Sequence, residues 1–142
     1  MRALLDVNVL LALLDRDHIQ HEQARSWFEN EIRHGWASCA ITQNGFMRVR
    51  TQPGYPGAVS PRDAVRRLAD AAKTEHHEYW RCELSLLDAR VFDHARIHGP
   101  RQITDVYLLA LAVHNGGRFV TFDRRTSPRA VRNAGDEHLV VL

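Results

Sequence analysis

Short, continuously apolar runs set between helical patterns constrain the fold of this chain more than any other feature. Arg2-Ala3-Leu4-Leu5, Trp36-Ala37-Ser38-Cys39 and Phe119-Val120-Thr121-Phe122 read as strands, with Glu78-Tyr79-Trp80 a short further one and His138 to Leu142 a final one. A strand that is apolar at successive positions has both faces covered, as in a parallel sheet flanked by helices. The intervening segments supply those helices. Val7 to Leu14 is apolar around most of a helical wheel, which predicts a helix buried in the core. His21 to Ile32 places Ala24, Trp27, Phe28 and Ile32 on one side and its acids mostly on the other. A third helix runs through Phe46, Met47 and Val49 until Pro53-Gly54-Tyr55-Pro56-Gly57 stops it. Ser60 caps a fourth, with Pro61 in its first turn, reaching about Lys73. Ile103 to His114 is a strongly apolar fifth, with Thr104 as its expected N-cap and Gly116-Gly117 as its stop. Leu84 to Gln102 carries no clear period and reads as short helical turns and loop. Strands alternating with helices predict an α/β fold, three layers deep (α/β/α), around a central, mainly parallel sheet.

At 142 residues the chain is long enough for one domain with a real core and too short for two ordinary ones, so residues 1–142 are expected to form a single domain. No apolar run could span a bilayer, and Asp6 and Asn8 interrupt the first one, which argues against a secretion signal and for a cytoplasmic location. The formal charge of +2 provides no bulk attraction for nucleic acid. Lys73 is the only lysine; the preference for arginine suits bidentate phosphate recognition, and a GC-rich genome would produce it equally well. Cys39 and Cys82 have no metal-type spacing, and Cys39 reads as a small buried apolar residue.

Chemistry is suggested by where the acids fall. Asp6 and Asp123 end apolar strand runs, Asp105 opens the apolar fifth helix, and Gln43 lies at the start of the third. Sites in open α/β sheets form at strand C-termini. Carboxylates converging there repel one another unless a hard cation sits among them. A metal so held lowers the pKa of water and offsets charge on a phosphoryl oxygen, which suits phosphodiester hydrolysis. Each acid also has an ordinary reading: Asp6 as a helix cap, Asp105 as a first-turn aspartate favoured by the helix dipole, Asp123 as a turn residue.

Three blocks carry a resemblance over nearly the whole chain and in the expected order. They are Leu4-Leu5-Asp6-Val7-Asn8-Val9-Leu10, Ile41-Thr42-Gln43-Asn44-Gly45-Phe46-Met47-Arg48-Val49, and Ile103-Thr104-Asp105-Val106-Tyr107-Leu108-Leu109 running on to Val120-Thr121-Phe122-Asp123. Together they resemble the PIN-domain ribonucleases, most of all the VapC-type toxins of toxin–antitoxin modules. The resemblance implies a PIN-like sheet and an acidic pocket holding Mg²⁺, for which Mn²⁺ can substitute. It further implies RNA cleavage, neutralisation by a cognate VapB-type antitoxin, and a homodimer. By motif, Asp6, Asp105 and Asp123 fall on the metal-site aspartates, with Asn8 and Thr104 at supporting positions. Gln43 stands where a glutamate is usual. It keeps a carbonyl oxygen but loses a unit charge, so either three aspartates suffice or metal binding is weakened. Arg124 and Arg125 follow Asp123 and are candidates for RNA phosphate contacts, Arg124 foremost; Arg48 and Arg50 are further candidates, with surface solvation the ordinary alternative for all four. His18 could lie near the pocket mouth, though neither it nor His21 is read as catalytic.

Two other functions compete with this one. A haloacid-dehalogenase-type phosphotransferase would use Asp6 as nucleophile, but it needs an acid two residues on, where Asn8 stands, and a late lysine, which is missing. A catalytically weak or inactive PIN domain that only binds RNA or antitoxin finds its support in Gln43.

Overall fold

Five strands, all parallel, form one sheet in the order β3-β2-β1-β4-β5 in the computed structural model, which describes residues Met1–Leu142. In chain order the elements are β1 (Ala3–Leu5), α1 (Val7–Leu14), α2 (His21–Glu31), β2 (Trp36–Cys39), α3 (Ala40–Arg50), α4 (Pro61–Ala72), β3 (His77–Trp80), α5 (Ile103–His114), β4 (Arg118–Thr121) and β5 (Leu139–Val141). The chain winds outward from β1 through β2 to β3, then crosses back to place β4 on the other side of β1. The strand order reverses between β1 and β4, and a crevice opens beyond strand ends at such a switch point.

Alternation along the strands divides the core in two. Leu4, Ala37, Cys39 and Phe119 face α5, whose residues Val106 to Ala112 are all buried. Ala3, Leu5, Trp36 and Val120 face the opposite way, onto Val9 and Leu10 of α1, Phe46 of α3 and Leu68 of α4. The expected three layers are therefore present, with one helix on one face and the rest of the named partners on the other. α5 ends in a Schellman motif: Gly117 N–H donates to Ala112 O (2.8 Å), Gly116 N–H to Val113 O (3.0 Å), and Gly116 takes φ +65°. At Gly45 a Cβ would collide with Val7, so the glycine lets α3 lie close against α1.

The structure corrects several details. Thr104 does not cap α5. Pro100–Gln102 forms a 3₁₀ turn that leads directly into the helix, so the preceding residue is Gln102 and Thr104 is the exposed second residue. β4 begins one residue earlier than expected and ends at Thr121, leaving Phe122 beyond it; β3 also starts one residue earlier, at His77. His138 belongs to a 3₁₀ turn before β5. The segment Leu84 to Gln102 is turns and loop, anchored by an antiparallel bridge between Phe92 and Val131.

Candidate active site

β1 and β4 lie side by side, with Leu5 in register with Val120, so their C-terminal ends deliver Asp6 and Thr121 to the same place. Asp6 N–H donates to Val120 O (2.9 Å), which fixes the backbone at the strand end. The Asp6 side chain caps α1, its Oδ1 accepting from Val7 N–H at 2.7 Å. Its Oδ2 accepts from the Thr121 hydroxyl at 2.6 Å. Thr121 Oγ1 in turn accepts from Asn8 Nδ2 (3.1 Å) and from Asp123 N–H (3.0 Å). One donor and two lone pairs are all that a hydroxyl has, and all three are used. Asn8 closes the ring by accepting from Phe122 N–H with Oδ1 at 3.2 Å. Thr121 is fully buried, and the sequence motifs alone did not single it out. Its signal was there: it is a polar residue inside an otherwise apolar strand run, two residues before Asp123.

Asp105 reaches the site from the first turn of α5, half-buried, where Thr126 Oγ1 donates to its Oδ2 at 3.0 Å. Asp123 lies just past β4 and is gripped by Arg125. The Arg125 backbone N–H and Nε donate to Oδ1 (2.8 and 2.9 Å), and Nη2 donates to Oδ2 (2.6 Å).

These surroundings drive the three carboxyls apart in acidity. Burial, then the charges of Asp105 and Asp123, raise Asp6 to about 6 against the pull of its hydrogen bonds. Burial, then the Asp123 charge, raises Asp105 as well. Arg125 holds Asp123 down at about 2. Two carboxyls are thus short of positive charge while the third is already paired. The donors are hard oxygens at carboxylates that destabilise one another's ionised forms, and that set fits Mg²⁺, which needs one or two direct carboxylates and keeps several waters. Asp6 and Asp105 are the members without a cationic hydrogen-bond partner. No three acidic, histidine or cysteine side chains stand together closely enough to hold a metal ion as they are.

The remaining sequence candidates separate clearly. Gln43 makes no hydrogen bond to an aspartate; its Nε2 donates to Ser38 Oγ (3.0 Å), which meets His77 Nε2 at 2.9 Å. Thr104 is exposed and has no side-chain hydrogen bond to the site, so its supporting role finds no geometric basis. Arg124 is exposed and lines neither cavity beside the acids, whereas Arg125 lines one of them. Arg48 is exposed. Arg50 is 4% exposed and committed to Asp15 and the Gly57 carbonyl, which removes it from the phosphate candidates. His18 lies in the link from α1 to α2 and His21 opens α2, both towards the end of α1 away from Asp6.

The chain as a whole is similar to proteins already known. The PIN domain family model matches residues 3–131. Ribonuclease VapC44 of Mycobacterium tuberculosis is 58% identical over 142 residues, covering 100% of both chains. Ribonuclease VapC38 of the same organism is 43% identical over 122 residues, 85% of this chain and 84% of that one. Among solved structures, M. tuberculosis VapC20, described as a sarcin–ricin-loop-cleaving toxin, superposes with a TM-score of 0.62 at 12% identity, covering 93% of this chain and 98% of its own. VapBC2 from Rickettsia felis, solved bound to a DNA fragment from the promoter, gives a TM-score of 0.56 at 12% identity, covering 87% and 89%. At that identity these two structures speak to the fold.

Proposed function

The chain belongs to the PIN-domain family, in its VapC group, and from that membership we propose that it is a metal-dependent endoribonuclease acting as the toxin of a toxin–antitoxin pair. The observation that carries the reading is the buried Asp6, raised to about 6 beside Asp105 and Asp123 at the switch point between β1 and β4. A carboxylate kept in so unfavourable a setting fits a site built to receive a cation. When bound, Mg²⁺ or Mn²⁺ supplies a Lewis acid that acidifies water and offsets charge on a phosphoryl oxygen. Asp6 and Asp105 would hold it, and Asp123 would join once Arg125 turns away. The residues around them set aim: Val7 N–H and Thr121 fix both Asp6 oxygens, Asn8 fixes Thr121, and Thr126 fixes one oxygen of Asp105. No side chain here is placed as a nucleophile, so water attacks phosphorus with no covalent enzyme intermediate.

The expected partners are RNA, a cognate VapB-type antitoxin and a second copy of the chain, in the cytoplasm. No helix is long and apolar enough to cross a membrane. A mainly apolar hollow of about 450 Å³, lined by Leu10, Leu13, Leu14, Phe28, Ile32 and Trp36 among others, offers a protein partner an anchor away from the acids. The test is cleavage of an RNA pool by the purified protein in Mg²⁺, lost in EDTA and abolished by Asp6→Ala. Gln43, together with the grip of Arg125 on Asp123, favours a second reading in which the domain binds without cutting. Intact RNA at high protein concentration and saturating Mn²⁺ would establish that one.

A further inference from the structure

Three carboxylates repel a polyanion, and a net charge of +2 supplies little long-range attraction. Cations near the centre must therefore draw the strand in. Arg125 is spent on Asp123. Arg124 lines no cavity beside the acids, and Arg101 lines only the one it shares with Asp105, Asp123 and Arg125. Two other arginines, distant from each other in the chain, share one wall with Asp105. A cavity of about 270 Å³ lies between Arg96, Gln102, Asp105, Thr126, Ser127 and Arg129, among its lining residues.

The frame of this cavity is firm. Arg96 ends the 3₁₀ turn His94–Arg96, and Arg129 is central to the 3₁₀ turn Pro128–Ala130. The two turns are stitched together by Asp93 N–H to Ala130 O (2.9 Å), Arg132 N–H to Val91 O (2.9 Å) and the bridge from Phe92 to Val131. Two guanidinium groups facing one concavity repel each other, and nothing inside the protein compensates them fully. Arg96 gives only Nε to Asp93 (3.1 Å), which leaves its two terminal nitrogens free. The Arg129 side chain has no hydrogen-bond or ion-pair partner. Gln102 accepts His98 N–H with Oε1 (2.9 Å), so its amide nitrogen remains a free donor. Thr126 links the cavity to the acids, because its hydroxyl donates to Asp105.

We propose that Arg96 and Arg129 form a phosphate subsite, which holds an RNA backbone phosphate next to the one being cleaved, on the Asp105 side of the acidic centre. The proposal rests on the nuclease reading above. Planar guanidinium groups with free terminal nitrogens, beside an amide donor, suit bidentate phosphate binding. Contact with a phosphate away from the reacting bond is equally strong in ground and transition states, so it governs KM and leaves kcat nearly unchanged.

The experiment uses the full chain and a fluorescein-labelled, mixed-sequence single-stranded RNA 15-mer, with anisotropy in EDTA at several KCl concentrations and cleavage kinetics in Mg²⁺. Arg96→Ala and Arg129→Ala are each expected to weaken binding about threefold to tenfold and to flatten the slope of log K against log[KCl] by about 0.7, the increment for one phosphate contact on a single strand. KM should rise with kcat retained. Arg96→Lys should keep the slope and recover part of the affinity. Arg66→Ala, the same charge change on exposed α4, should alter neither slope nor KM. Unchanged slopes and KM in both alanine variants of a protein that does cleave RNA would overturn the subsite alone. A wild-type chain that neither binds nor cuts RNA would overturn the nuclease reading and the subsite with it.

Discussion

The two ends of α1 each carry a buried aspartate, and the two are treated in opposite ways. Asp6 caps the N-terminus and Asp15 the C-terminus, and both are 7% exposed. The helix dipole favours a carboxylate at the first position and disfavours it at the second. The acidities run the other way. Burial pushes Asp15 up, but the Tyr55 hydroxyl (2.8 Å), the Asp17 N–H (3.2 Å) and the Arg50 charge outweigh it and leave the group below its ordinary range. Asp6 has no cation among its partners, and two acids add to its burden. A dipole worth roughly 0.3–1 kcal/mol loses to desolvation and to neighbouring charges. Asp15, with Arg50 stacked over Tyr55 at 5.0 Å, fastens the loop after α3 to the end of α1. Asp6 is the opposite case, left uncompensated where a cation would be useful.

The contrast breaks most sharply at Asp15. Asp15→Ala would leave Arg50 buried without its carboxylate, and such a loss costs about 3–5 kcal/mol. Urea unfolding at neutral pH measures it; a loss below about 1 kcal/mol would show that the Arg50 pair contributes little.

Neutralising the aspartate at the other end should do the reverse. A group raised in the fold favours the protonated form, so wild-type stability declines as pH rises from 3.8 through about 6. An asparagine side chain at this position does not titrate and can still accept a hydrogen bond through its amide oxygen. In metal-free protein the stability of Asp6→Asn relative to wild type should therefore rise by about 3 kcal/mol between about pH 4 and pH 7, since a tenfold change in acidity corresponds to about 1.4 kcal/mol, on top of a constant offset for the one Asp6 hydrogen bond that an amide cannot accept. Mg²⁺ should raise the wild-type melting temperature and leave that of Asp6→Asn where it was, because only the wild type gains binding energy. A gap that does not change with pH would mean that Asp6 is not the strained group. A smaller effect belongs to Tyr55→Phe, which removes one hydrogen bond to a charged group and should cost about 2 kcal/mol; a loss near zero would assign the low acidity of Asp15 to the Asp17 N–H and the charges around it, Arg50 foremost.

Much of this is readable in the sequence. Continuous apolar runs announce the parallel strands because burial on both faces leaves no other pattern, and Gly116-Gly117 marks the end of α5 through its backbone demands. The positions of Asp6, Asp105 and Asp123 follow from the same runs. What stays hidden depends on pairing across the chain. Thr121 becomes the hub between Asp6 and Asn8 only once β4 lies beside β1, more than a hundred residues away. Arg48 and Arg50 look alike as letters, yet α3 exposes one and buries the other against a loop. Thr104 fails as a cap for a local reason: the turn at Pro100 already supplies a partner for the Ile103 N–H. Arg125 pairs with Asp123 rather than with solvent, and adjacency alone does not distinguish it from Arg124.

Gln43 offers the finest test of how uncompensated the Asp6 end is. With Asp123 paired to Arg125, the centre has less free negative charge than three aspartates suggest. A carboxylate at position 43 can accept from the Ser38 hydroxyl, and His77 can then donate to Ser38, so the local chain of hydrogen bonds survives with reversed polarity. Gln43→Glu should tighten Mg²⁺ binding about tenfold, or 1.4 kcal/mol, a modest share of the interaction between charges in a partly buried site. Titration calorimetry reads this directly. Arg125→Ala removes a positive charge from the same centre and should also tighten Mg²⁺, since Asp123 is released. Tightening by Arg125→Ala with no change for Gln43→Glu would locate the missing charge at Asp123 and leave Gln43 as a tolerated replacement. Unchanged affinity in both would mean that charge does not limit the site, and that Asp6 and Asp105 are sufficient.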